Sequence, residues 1–63
     1  MGHKVLLELS DGTKVWINLQ QIVKMIKTPD GKYYIYLING DVFEVDKGAA
    51  RTIENYFEGR YNN

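Results

Sequence analysis

At 63 residues the chain has room for one domain, and 44% hydrophobic with 25% charged residues is the balance of a folded protein, not a disordered one. Eight Lys plus Arg offset eight Asp plus Glu, so the long-range field that draws proteins onto phosphate backbones is missing, and the absence of cysteine removes disulfides and thiolate metal sites. No apolar run approaches the ~20 residues that span a bilayer, and the N-terminus lacks the basic-then-apolar order of a signal peptide, so the expectation is a cytoplasmic protein without membrane insertion.

The first predicted strand covers residues 4–9, apolar at nearly every position from Val5 to Leu9. Ser10-Asp11-Gly12-Thr13 supplies a turn, and the second strand, 14–19, alternates with Val15, Ile17 and Leu19 on one side. Asp-Gly predicts a tight hairpin turn in which both residues take positive φ. Asn18-Leu19-Gln20-Gln21 is a polar interruption, either one helical turn or a corner. The run 22–27 would make a helix of only about two turns, and its β-branched residues and the following Thr28-Pro29-Asp30-Gly31 favour a third strand.

Lys32-Tyr33-Tyr34-Ile35-Tyr36-Leu37-Ile38 is the strongest strand signal, because aromatic and β-branched residues suit a pleated surface. Asn39-Gly40 predicts a type I′ turn into a fifth strand, 41–45. Asp46 then caps a helix over 47–58 whose apolar positions are Ala49, Ile53 and Phe57, with Ala50 and Tyr56 beside them, and Gly59 takes the left-handed C-cap position before a loose tail from Arg60. Together these elements predict a mainly β domain: a strongly bent five-stranded antiparallel meander or partial barrel with a C-terminal α-helix over one open end.

Catalysis by side chains needs a base oriented by a partner, paired carboxylates in a cleft, or a metal site. The sequence offers none. Asp11, Asp30 and Asp41 fall in turns, where their own backbone hydrogen bonds explain them, and Glu44, Glu54 and Glu58 alternate with apolar residues as solvated charges do. Gly12, Gly31 and Gly40 each follow an Asp or Asn in a turn, so no glycine-rich loop cradles a phosphate. His3 would be a solitary ligand. The expectation is therefore no enzyme, no metal and no cofactor.

Binding surfaces are better supported. Alternation gives Tyr33, Ile35 and Leu37 to the core face of strand four and Tyr34, Tyr36 and Ile38 to the outer one, where exposed tyrosines anchor protein partners or stack on bases. Trp16 lies opposite Val15 and Ile17. Lys24, Lys27 and Lys32 gather around the third-to-fourth hairpin, so Trp16, Lys24, Lys27, Lys32, Tyr34 and Tyr36 form the candidate interaction surface. Leu6, Val23 and Met25 are assigned to the same outside. So much apolar surface on both faces, with one helix to cover it, predicts a homodimer or another protein as partner.

The order of motifs resembles the small flagellar FlbD-like proteins, the SwrD group of swarming motility. Leu9, Asp11-Gly12, Val15, Ile17-Asn18, Ile22, Ile26, Thr28-Pro29-Asp30, Ile35, Leu37, Asn39-Gly40 and Val45 stand in that family's sequence of positions, over nearly the whole chain. The stretch between Pro29 and Gly40 is longer than the family's, and the tyrosine-rich strand departs from it. The resemblance implies a bacterial accessory protein of flagellar motility, with no catalytic residues to carry over. A protein-interaction module is accordingly ranked first, and a small nucleic-acid-binding or regulatory β-domain, of phage or mobile-element origin, second.

Overall fold

The computed structural model describes residues 4–61, with side chains through Gly59. The expectations for His3 and for residues 62–63 lie outside them. In chain order come β1 (Lys4–Glu8), β2 (Lys14–Asn18), a 3-10 turn (Leu19–Gln21), β3 (Ile22–Lys27), β4 (Tyr33–Leu37), β5 (Val42–Val45) and α1 (Lys47–Tyr61). All pairings are antiparallel, in two sheets: β1 with β2, and β3–β4–β5. Among the described residues one bridge, Leu9 to Val45, joins them, flanked by Ser10 N donating to Glu44 O at 3.0 Å and Asp46 N donating to Glu8 O at 3.1 Å. The result is mainly β as the sequence predicts, with five antiparallel strands and a C-terminal helix, but the strands are split between a two-stranded and a three-stranded sheet instead of forming one five-stranded meander, and they do not close into a barrel.

Alternation does most of the sorting. Leu7, Ile17, Ile35 and Val45 point inward from four strands and are buried, while Leu19 and Ile22 enter from the corner between β2 and β3. Asn18 turns that corner: its side-chain oxygen accepts from Gln20 N at 3.0 Å and starts the 3-10 turn, so the polar interruption is a short helix. The helix closes the core with Ala49, Ala50 and Ile53, the last fully buried. Asp46 caps it as predicted, its carboxylate accepting from Ala49 N at 2.8 Å. Leu7, Ile35 and Ile53 are the largest fully buried side chains, each stabilising the fold by about 1.5–3 kcal/mol.

Three local expectations are corrected. The hairpins do not use type I′ turns, because no non-glycine residue among those described has positive φ. Each is instead a three-residue loop, with Gly12 N donating to Leu9 O and Leu9 N to Thr13 O, and the same pattern at Thr28/Gly31/Lys32 and Leu37/Gly40/Asp41. The glycine closing each loop sits at φ 88 to 94°, the left-handed residue such loops require. Gly59, by contrast, is no C-cap: the helix runs through it to Tyr61, taking in Arg60, which the sequence assigned to a loose tail.

The third correction concerns β3. Its register shifts between Ile22 and Lys24, the mark of a β-bulge. Both Val23 and Lys24 therefore face out, after which parity is reversed, so Met25 packs against the core opposite Ile35 and Ile26 takes the outer position beside Tyr34. Met25 does not belong to the outside.

Candidate functional site

The structure divides the six candidate residues among four places. Lys24, Tyr34 and Tyr36 share the outer face of the three-stranded sheet, where Lys24 pairs with Tyr36 and sets its Nζ 4.7 Å from the ring centroid. Lys27 belongs to the opposite side, its Nζ 5.7 Å from the ring of Tyr33, which packs on the core. Lys32 ends the Thr28–Lys32 loop, and its N–H donates to Thr28 Oγ1 at 3.2 Å. Trp16 stands apart on the two-stranded sheet. The three lysines thus do not make one charged surface.

Trp16 is 69% exposed and pairs across the ladder with Leu6, itself 48% exposed. Leaving a tryptophan in water forgoes the burial that makes it the most effective anchor at protein contacts. It lies beside a groove of about 270 Å³ between β2 and the end of the β4–β5 hairpin. The apolar walls come from Val15, Ile17, Leu37 and Phe43, and the polar rim from Asn18, Gln21, Asn39 and Asp41. Four consecutive residues of β2, Val15 to Asn18, line it, and β2 is hydrogen-bonded on its other side to β1 alone.

Two contacts hold the groove's shape. Ile38 N donates to Gln21 O at 3.0 Å, tying the β4–β5 loop to the 3-10 turn. Asn39 accepts from Asp41 N at 3.0 Å and donates from Nδ2 to the Asp41 carboxylate at 3.1 Å, which fixes the rim. Sequence reasoning singled out Trp16 and missed the rest of the groove. One wall comes from β2 and the other from Leu37 and Phe43, in a different sheet and far along the chain, and no local pattern brings them together.

The turn carboxylates are occupied by the turns. Asp11 Oδ1 accepts from Thr13 N at 2.9 Å, and that bond holds the Asp11 carboxyl below its ordinary pKa. Asp30 accepts from the Thr28 hydroxyl and is lowered chiefly by it. Both stay ionised at neutral pH, far from the range in which a general base works. Among the described residues no three or more His, Cys, Asp or Glu side chains cluster to hold a metal ion, and no helix is long and apolar enough to cross a membrane.

Fold and surface together define a small mainly β domain with an exposed tryptophan at a groove. No family model, curated protein or solved structure matches the chain.

Proposed function

We propose that this chain is a small, non-catalytic protein-interaction module, a cytoplasmic accessory factor of bacterial flagellar motility, that receives an extended segment of a partner protein along the Trp16 groove. The observation that carries the proposal is the exposed Leu6–Trp16 pair next to an apolar-walled groove bordered by the outer edge of β2. An extended segment adding to that edge would gain main-chain hydrogen bonds from β2 and specificity from side chains seated between Ile17, Leu37 and Phe43. The turn-bound aspartates support a role without side-chain chemistry, and the FlbD-like order of motifs supports motility.

Nucleic acid draws less support. Lys24 covers the ring of Tyr36 that a base would stack on, and Lys27 lies on the opposite side of the sheet against Tyr33.

Trp16→Ala separates the two ideas. With the partner identified by crosslinking through a photoreactive residue at position 16 and then purified, the substitution should weaken its binding by at least about thirtyfold, the ~2 kcal/mol expected of a hot spot. Far-UV circular dichroism should not change, and in the native host the variant should fail to restore swarming to a deletion strain. Equal affinity for wild type and Trp16→Ala would remove the groove from the function, and salt-sensitive gel shifts with nucleic acid would favour the second class.

A further inference from the structure

The outer face of the three-stranded sheet is a second surface, distinct from the groove, and its residues form a small grid. One row runs Lys24, Tyr36, Val42 across β3, β4 and β5, and the next runs Ile26, Tyr34, Glu44. Neither Tyr34 nor Tyr36 belongs to the core, and Ile26 and Val42 are 36% and 47% exposed beside them. The centre of the face is therefore aromatic and aliphatic. Within this six-residue grid the charges sit at opposite corners.

Within the chain those corners do not meet, Lys24 being laid over Tyr36 instead. Lys24 and Glu44 lie two strands and two residues apart, about 12 Å between backbones from the usual strand spacing and rise. Among the described residues the Glu44 carboxylate makes no ion pair, and Lys24 rests on Tyr36. A face with a cation at one corner, an anion at the diagonal corner and apolar groups between is complementary to itself. A two-fold axis lying in the plane of contact, perpendicular to that diagonal, maps each corner onto the other's opposite.

We infer that this face pairs with a second copy of the chain about that diagonal two-fold axis, Lys24 meeting the partner's Glu44 and Glu44 meeting the partner's Lys24. Ile26 then packs near the partner's Tyr34, and Val42 near the partner's Tyr36. Such isologous contacts are the commonest way for small proteins to associate. A patch of six residues on a chain with 4552 Å² of accessible surface falls below the ~800 Å² per partner of a standard interface, so the dimer is weak and weakens further with salt.

Charge reversal tests the axis itself. Lys24→Glu alone and Glu44→Lys alone each place like charges at both corners, so sedimentation equilibrium on either variant, up to millimolar concentration, should show monomer where the wild type shows dimer. Mixed in equal amounts, the two variants should associate. The carboxylate introduced by Lys24→Glu in one chain then meets the ammonium introduced by Glu44→Lys in the other, and the two unsubstituted corners also match. Circular dichroism spectra like the wild type's establish that each variant folds. Three results would overturn the inference: a wild type that stays monomeric throughout, single variants that dimerise as well as the wild type, or a mixture that stays monomeric. The last would show that the copies meet in another register even if they do associate.

Discussion

Replacing Ser10 with proline sets two opposing effects against each other, and the sign of the change in stability decides which governs the fold. The three hairpin loops are equivalent position by position, so Ser10, Pro29 and Ile38 all occupy the first loop residue, whose N–H the loop does not use. In two of them that N–H crosses to another element: Ser10 N reaches Glu44 O, and Ile38 N reaches Gln21 O. The third is a proline with no N–H to offer, and its loop makes no such tie. Pro29 also shows that the backbone at this position accepts the ring. The preceding Leu9 is extended in its bridge to Val45, as a residue before proline prefers.

Proline at position 10 should therefore stabilise the loop by about 0.4–1 kcal/mol through the unfolded chain. Against that stands the loss of the inter-sheet hydrogen bond, about 0.5–1.5 kcal/mol, with a further penalty of up to about 1–3 kcal/mol for the Glu44 carbonyl to the extent that water does not replace the donor. Glu44 is half-buried, so the net expectation is a loss of about 1 kcal/mol, or about 4–8 °C in Tm for a domain of this size. Ile38→Pro should behave alike. Thermal melts followed by far-UV circular dichroism suit the assay, since Trp16 is too exposed for its fluorescence to report folding strongly. A rise in Tm for Ser10→Pro would refute the claim that the Ser10 N–H helps hold the two sheets together.

Ile53→Ala should cost about 2–5 kcal/mol, because the side chain is fully buried where the helix meets the sheets; urea titration showing a loss under about 1 kcal/mol would detach the helix from the core. Met25→Ala should destabilise more than Val23→Ala, the two being separated by the bulge, and equal midpoints in the same titration would argue for regular alternation along β3. Asp11 and Asp30 should titrate below the ordinary 3.8 in carboxyl-detected NMR. Since their folded values are depressed, what they add to stability is present above the ordinary value and fades as pH falls through the folded one. Thr28→Val should return Asp30 toward its ordinary value and leave Asp11 unmoved; a shift of both would point to a global cause.

What could be seen in the sequence was whatever lies within one hairpin. Alternation at Val15/Ile17 and Tyr33/Ile35/Leu37 gave the inward faces correctly, and Asp46 announced its helix by residue type and place. The loops were located but misassigned, because Asp-Gly and Asn-Gly serve both the two-residue type I′ turn and the three-residue loop whose glycine alone is left-handed. Only the pairing of Leu9 with Thr13 and Leu37 with Asp41 distinguishes them. Nothing in Ile22-Val23-Lys24-Met25 marks a bulge, since every residue there suits either face of a strand. The groove was invisible for a different reason: it depends on how far the two sheets splay from the Leu9–Val45 bridge, which is a property of the whole chain.

The bulge in β3 also bears on how the protein behaves in a crowded solution. β3 is an edge strand, hydrogen-bonded to β4 and to nothing beyond, and its Ile22, Val23, Met25 and Ile26 are the kind of sequence that recruits further strands into fibrils. Regular ladders template; interrupted ones do not. By putting Val23 and Lys24 side by side on the outside, the shift breaks the even row of N–H and C=O groups an incoming strand would have to match. Lys24 and Lys27 add charge to the same edge, where a stacked copy would bring like against like. The irregularity that hides Met25 from sequence reasoning thus also acts as a gatekeeper, keeping an apolar edge from propagating.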